Sequence, residues 1–509
     1  MNNLRPSSFE AFELEAGRGN VVAVVSTFDT RGRTPIGTFQ CISEGARYSF
    51  LLESIEGGER IARYSFLGAE PEMIVRGRGE QTLVERANEN EVLIVRAVDF
   101  VRNHFQRRTS APRADVGPFA GGAVGYLGYG AARWFEPSIS PDSYDEACDD
   151  AVFMFYRTVI ALDRVREEIN ITRVVFPEEA EGDPARLREL YDGAVAETAR
   201  IEQSLPDNSE ERPSIQNEPC LRQEQTPFES NWTRDGFEDA VTRVKEHIAA
   251  GDCYQVVLSQ RFGRKVSATP ISIYRSLQSI NPSPYMYLLR LDEETVIGAS
   301  PEMLVRCQGT RLDYRPIAGT RRRGATETED LLLAQEMRSD EKELAEHMML
   351  VDLGRNDLGR VATYGSVRVD ELLKVESFSH VQHLVSSLSA TLRSGLDRFD
   401  ALASCFPAGT VTGAPKVRAM EIIRELEPQS RGVYAGAVVY ADYADNLDSC
   451  IAIRTILLKD GHASVQAGAG IVADSVPELE YQETINKAQA LFRAIQNAEC
   501  RCDGRELQS

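Results

Sequence analysis

The sequence predicts an α+β fold, a sandwich of β-sheet and helix, from three observations. Short β-rich runs broken by turns fill the chain before about Gln203. From about Phe237 onward, long segments with helical periodicity are interspersed with compact β-branched runs. The strands and helices come in runs and not in the strict alternation of a doubly wound fold. At 509 residues the chain exceeds what one core usually fills, so two domains or one large composite domain are expected. The stretch from about Gln203 to Trp232 mixes Pro, Ser, Asn and Glu with almost no apolar periodicity and reads as a linker or long surface loop. It divides the chain into a region of residues 1–225 and one of residues 226–500.

Before the linker, YSFLLES, EMIVRG and AVFMFYRTVIALDR have strand character, and the Gly-rich PFAGGAVGYLGYGAARWFE reads as a hairpin with close backbone packing. After it, Phe237, Val241, Val244 and Ile248 recur at helical spacing, and Gly251 supplies the stop. CYQVVLSQRF, VYAGAVVYAD and SCIAIRTILL are each expected to be a strand. EKELAEHMMLVDLGRND, PKVRAMEIIREL and KAQALFRAIQ are expected to be helices, and so is HVQHLVSS, which carries His383.

The 78 acidic and 57 basic side chains give a net charge of −21, which argues against nucleic acid as a main partner, since phosphate binding needs a positive footprint. No apolar run approaches the roughly 20 residues that span a bilayer, and the N-terminus lacks the basic start and apolar stretch of a signal peptide. Nine scattered cysteines suit reduced thiols in a cytoplasmic protein, and no Cys/His cluster has zinc spacing.

Chemistry is suggested at four places. On the EKELAEHMMLVDLGRND helix, Leu344, Met348 and Val351 share one face while Glu343, Glu346 and Leu350 share another. Alone this is an ordinary solvated acidic face, but a second helix repeats it. There Ser475 and Glu478 form a capping-box pattern, and Glu480, Glu483 and Lys487 then line one side. Two glutamate pairs facing across a cleft would suit a hard cation, most plausibly Mg2+, with retained waters and an anionic substrate. In FPAGTVTGAPKVRAMEII, Gly413, Pro415 and Lys416 mark a helix start that either favours an anion or is simply well made. QAGAGIVADSVPELE satisfies G-x-G-x-x-A at Gly468, Gly470 and Ala473. Its helix begins only near Pro477, so a glycine turn presenting amides to a carboxylate is the better reading than a dinucleotide site. Arg454 within a strand pattern is either exposed at an edge or paired with a carboxylate, which a ligand could supply. His383 is a proton-transfer group or merely hydrogen-bonded. The residues by themselves point to a magnesium-dependent enzyme of a small polyanion.

Taken together, RPIAGTRRRG, AEHMMLVDLGRNDLGRVA, FPAGTVTGAPK, YAGAVVY, CIAIRT and QAGAGIVADSVPELEYQETINKA resemble the chorismate-utilising enzymes, over about Phe237 to Ile495. The resemblance implies a sandwich of large antiparallel β-sheets with helices packed outside, chorismate as substrate, and magnesium at its ring carboxylate. It implies Glu346 and Glu483 as metal ligands with Glu343 and Glu480 in support. Tyr434 and Arg454 are implied at a substrate carboxylate, and Gly468, Ala469, Gly470 and Lys487 in carboxylate binding. Thr320 and Thr410 fall on the pocket wall, with Thr410 beside the reacting groups, and His383 falls near the ring hydroxyl that leaves.

Two positions choose a branch of the family. Members that add water carry a lysine base where this chain has Gln255, and the aminodeoxychorismate synthases carry an attacking lysine where it has Ala318. Gln255 with Ala318 is the anthranilate synthase pattern, since ammonia is already a nucleophile and needs no such base. In the N-terminal part, LLES, with Glu53 and Ser54, resembles that branch's tryptophan site, as does NPSPYM with Pro282, Pro284, Tyr285 and Met286. Val438, Tyr440 and Cys450 fall at further effector positions. The resemblance therefore implies tryptophan as inhibitor. No cysteine sits in a Gly-x-Cys-x-Gly turn, so a separate glutamine amidotransferase subunit is implied as partner, in a heterotetramer of two large and two small subunits. Two rivals stand beside this reading: an aminodeoxychorismate synthase, and a catalytically silent tryptophan-binding regulator.

Overall fold

The structure, a computed structural model, describes residues 3–55, 63–87, 89–108, 110, 117–139, 148–205, 227–377 and 381–506. Two large sheets, of thirteen and twelve strands, carry the architecture, and every registered strand pair is antiparallel. Twelve α-helices lie among the described residues, so the α+β expectation with large antiparallel sheets holds.

Both sheets cross the 203–232 stretch. In the first, Tyr48–Glu53 pairs with Tyr285–Leu291, Met286 opposite Glu53. In the second, Gly122–Leu127 pairs with Ala437–Asp442, Val438 opposite Tyr126. Residues 206–226 of the expected linker lie outside the described residues; Gln203 itself lies in the last turn of the helix Pro184–Ser204.

The strands of the first sheet are buried on both faces. Phe50, Tyr287, Leu289 and Val296 meet Tyr126, Val152 and Met154 of the second sheet in the space between the two. Leu51, Leu288 and Ile297 point the other way, onto the helices Pro270–Ile280 and Pro477–Glu506. This double burial explains why the sequence shows continuous apolar runs there, with no two-residue alternation.

Several local expectations are corrected. PFAGGAVGYLGYGAARWFE is one strand, Gly122–Leu127, followed by a 3-10 turn and the short helix Ala132–Phe135, so no hairpin forms. HVQHLVSS is a strand, Val381–Thr391. SCIAIRTILL is two strands, Asn446–Ile451 and Thr455–Lys459, and Arg454 sits in the break with φ 49. On the helix Glu341–Gly359 the buried face is His347, Leu350, Val351 and Leu358, while Met348 is exposed. Among the described residues Cys41, Cys253, Cys307, Cys405 and Cys450 are free thiols, but Cys500 is disulfide-bonded, against the expectation of reduced thiols throughout. Among the described residues no helix is long and apolar enough to cross a membrane.

Candidate active site

A cavity of about 560 Å3 opens between the edges of the two sheets. One wall is the adjacent pair Gln255–Lys265 and His462–Ile471, in which Val257 lies opposite Gly470 and Ser259 opposite Gly468. The facing wall is the strand Val381–Thr391 with Ile317–Arg322 beside it, and the helices Glu341–Gly359 and Pro477–Glu506 close the mouth.

Most of the residues singled out from the sequence line this one space. Gln255, Ala318, His383, Thr410, Tyr434, Arg454, Gly468, Gly470 and Lys487 do so, together with Glu346, Glu480 and Glu483. The two glycines are dictated by close neighbours. A Cβ on Gly468 would lie 2.7 Å from the Tyr434 hydroxyl, and one on Gly470 would lie 2.5 Å from Gln255 Nε2.

Three residues do not fit as expected. Ala469, between the glycines, points to the opposite face of its strand and is buried against the core that includes Val256, Leu258 and Ile471. Glu343 accepts a hydrogen bond from Arg321 Nη1 at 2.9 Å and is not among the lining residues. Thr320 is placed only by its backbone, opposite His383, since its side chain lies outside the described residues.

His383 Nδ1 donates to the Gly319 carbonyl at 2.9 Å, which fixes a proton there and orients the ring. Arg454 Nη1 donates to Asn281 Oδ1 at 3.2 Å. Burial lowers the Arg454 pKa, an effect that the nearby Glu302 opposes.

Glu302 is the residue that the sequence reading missed. It occupies the two-residue connection between the strands Glu294–Ser300 and Met303–Gln308, and only 6% of it is exposed. Burial, only partly offset by Thr410, Arg454 and Lys487, pushes its carboxyl up to about 8, so it is protonated at neutral pH. The Thr410 hydroxyl lies near this carboxyl and is buried with no hydrogen bond of ordinary geometry. A lone acid between VIGAS and MLV, two mainly apolar runs, is the only signal for Glu302 in the sequence.

At the mouth, burial raises the Glu346 carboxyl, and Glu343 and Glu483 raise it further. Glu480 is raised by burial and then by Glu483. Lys487 Nζ bridges Glu483 at 2.7 Å and the Gly468 carbonyl at 3.0 Å. Among the described residues no three acidic, His or Cys groups converge at metal-holding distance. The donor set nevertheless fits a magnesium ion, which takes one or two carboxylates and completes its shell with water and substrate oxygens. The expected capping box is absent: the Ser475 hydroxyl instead accepts the Val472 amide at 3.0 Å. Lys416 is not free for an external anion, because its Nζ donates to the buried Asp357 at 3.0 Å.

A second cavity, of about 630 Å3, lies where the two seams between the halves meet. Glu53, Ser54, Pro284, Tyr285, Met286, Val438, Tyr440 and Cys450 line it, whereas Pro282 does not. The Glu53 carboxylate is already engaged by Tyr274 at 2.6 Å, Arg164 at 2.9 Å and Gln278 at 3.0 Å. The Ser54 hydroxyl, by contrast, is buried without a partner.

Comparison with known proteins gives the family and the fold. Residues 47–493 match the family of chorismate binding enzymes. Anthranilate synthase component 1 of Aquifex aeolicus is 42% identical over 482 residues, covering 94% of this chain and 96% of that protein. The counterpart in Acetivibrio thermocellus is 43% identical over 486 residues, covering 94% of this chain and 96% of its own. The crystal structure of anthranilate synthase component I from Streptococcus pneumoniae TIGR4 superposes with a TM-score of 0.71 at 36% identity, over 84% of this chain and 92% of that one.

Proposed function

Because the chain belongs to the family of chorismate binding enzymes, we propose that it converts chorismate and ammonia to anthranilate and pyruvate, the reaction for which its relatives are named. The observation that carries this reading is that Gln255 and Ala318 line the cavity with Glu302 and His383. Neither Gln255 nor Ala318 can deprotonate water or attack the ring, so the nucleophile must arrive already competent, as ammonia does.

In the proposed reaction ammonia forms a bond to ring carbon 2 while the hydroxyl on carbon 4 leaves as water. Glu302, protonated at neutral pH, is the acid suited to deliver the proton that this departure needs. Pyruvate is then eliminated: the carbon–oxygen bond to the side chain breaks, the carbon 2 proton is removed, and the ring becomes aromatic. His383, whose ring is oriented by the bond from Nδ1 to the Gly319 carbonyl, is suited to proton transfer in these steps. Tyr434, Arg454, Lys487 and the strand positions Gly468 and Gly470 are the groups suited to hold the substrate carboxylates, the glycines lying in a strand and not in the expected turn. Thr410 sits beside Glu302 and keeps its carboxyl from rising further. Glu346 and Glu483, supported by Glu480, would hold magnesium, which would neutralise and orient the ring carboxylate.

The ammonia is assigned to a glutamine amidotransferase subunit, and the pair to a cytoplasmic heterotetramer. The second cavity is assigned to tryptophan as a feedback inhibitor: an orphan hydroxyl on Ser54 and an apolar wall from Met286 and Val438 suit an amino acid with a large aromatic side chain. Inhibition requires that tryptophan bind an inactive arrangement more tightly than the active one.

The test is fluorescence-detected anthranilate formation from chorismate and ammonium with magnesium, with and without tryptophan. Anthranilate that requires magnesium and falls with tryptophan supports the reading. A product that retains its enolpyruvyl group would favour the aminodeoxychorismate reaction, and tryptophan binding without consumption of chorismate would favour a silent regulator.

A further inference from the structure

We propose that Arg431, which lies behind the cavity and does not line it, is a positioning residue that holds four separate pieces of the cavity wall in register. The proposal rests on reading that cavity as the chorismate site. Arg431 follows the helix Lys416–Leu426 and is only 3% exposed. Its Nε and Nη2 form a fork on Glu427, at 2.9 and 2.6 Å. Nη1 donates to the Val411 carbonyl at 2.7 Å, and Nη2 also donates to the Val257 carbonyl at 2.7 Å. Four of the five donors that a guanidinium carries are thus engaged in fixed directions. Its Cζ lies over two aromatic rings, 4.8 Å from the centroid of Tyr129 and 5.6 Å from that of Tyr434.

Glu427 extends the reach. Its Oε1 accepts from the Ser259 amide and hydroxyl, both at 2.8 Å, and the same hydroxyl accepts from Gln466 Nε2 at 2.8 Å. Val257, Val411, Tyr434 and Gln466 all line the cavity; Val257 and Gln466 lie on paired strands and the Val257 amide donates to the Thr412 carbonyl at 2.8 Å, and the guanidinium with Glu427 ties these contacts to one another and to Tyr434. Val411 follows Thr410, so fixing its carbonyl fixes the turn that presents the Thr410 hydroxyl to Glu302. The Tyr434 ring, packed by the guanidinium, carries the hydroxyl that lies against Gly468. A lysine would keep the charge and lose the fork, because an ammonium cannot serve three acceptors in one plane.

The test uses the full chain with ammonium as the nitrogen source. Arg431→Lys is expected to raise the KM for chorismate and lower kcat, each at least tenfold, while its circular dichroism spectrum stays that of the parent. Glu427→Gln, which leaves the volume unchanged, should move both constants in the same direction by a smaller factor. Arg431→Ala should regain activity with millimolar guanidinium, and not with equal sodium chloride or urea. Constants within twofold of the parent in Arg431→Lys would overturn the proposal, as would an Arg431→Ala loss that guanidinium does not restore while Glu427→Gln behaves as the parent. If the parent itself makes no anthranilate, the reading of the cavity fails separately. The Arg431 proposal is then decided by the fluorine resonance of 3-fluorotyrosine placed at position 434, which should shift in Arg431→Lys. An unmoved resonance would overturn it.

Discussion

Asn281 and Arg454 are hydrogen-bonded at 3.2 Å, which joins the segment that begins the second cavity's NPSPYM wall to a guanidinium in the first cavity. Asn281 caps the end of the helix Pro270–Ile280, whose Tyr274 and Gln278 hold Glu53. A displacement of that helix by a ligand in the second cavity would therefore reach Arg454 through one side chain. Asn281→Ala should raise the KM for chorismate about three- to tenfold, the loss of one hydrogen bond worth about 0.7–1.4 kcal/mol. It should also weaken tryptophan inhibition more than tryptophan binding. Steady-state kinetics with parallel calorimetric titration of tryptophan separates the two effects, and an unchanged inhibition constant would sever this link.

Glu302→Gln keeps the shape and removes the dissociable proton. Activity should fall about 10²–10⁴-fold, the range for loss of a general acid. In the parent, kcat at saturating ammonia should decline as pH rises through about 8, and the variant should show no such limb.

The same carboxyl sets a stability signature. Its pKa is raised in the fold from 4.5 to about 8, so its contribution to stability is full below pH 4.5 and lost as pH rises through about 8. Glu302→Gln should therefore melt above the parent at pH 9, with the gap closing at pH 5. Melting curves at the two pH values decide it, and equal offsets at both would contradict the assigned burial.

His383→Ala should uncouple addition from elimination, so that an aminated product retaining its enolpyruvyl group accumulates. Chromatography of single-turnover mixtures checks this, and an unaltered anthranilate rate would remove His383 from the chemistry.

Ser54→Ala removes a buried hydroxyl that has no partner among the described residues. The protein should keep its melting temperature or gain slightly, while tryptophan affinity falls about 5- to 30-fold, the loss of a hydrogen bond worth about 1–2 kcal/mol. A calorimetric titration showing unchanged affinity would place tryptophan elsewhere.

Legibility from sequence followed physical context. The glutamates at the cavity mouth lie on helices with one solvated side, where spacing alone sets direction, and Glu346, Glu480 and Glu483 line one opening. His383 was assigned to a helix because Val381–Thr391 is buried along nearly its whole length, which erases the alternation that marks a strand. The break at Arg454 was hidden because its left-handed φ falls on a residue type with no preference for that conformation, in an otherwise unbroken apolar run. Ala469 was carried along with its glycine neighbours, although successive residues of a strand face opposite ways. Glu302 has no periodic partner at all, and only burial in three dimensions makes it an acid.

The two seams carry a consequence for synthesis on the ribosome. Tyr48–Glu53 waits for Tyr285–Leu291, and Gly122–Leu127 waits for Ala437–Asp442, so the nascent N-terminal portion holds two incomplete sheets with open edges until most of the chain has emerged. Open apolar edges are templates for pairing between chains. Truncations that end before residue 437 should thus be captured by chaperones or aggregate, and a stalled or proteolysed chain is removed without ever forming either cavity.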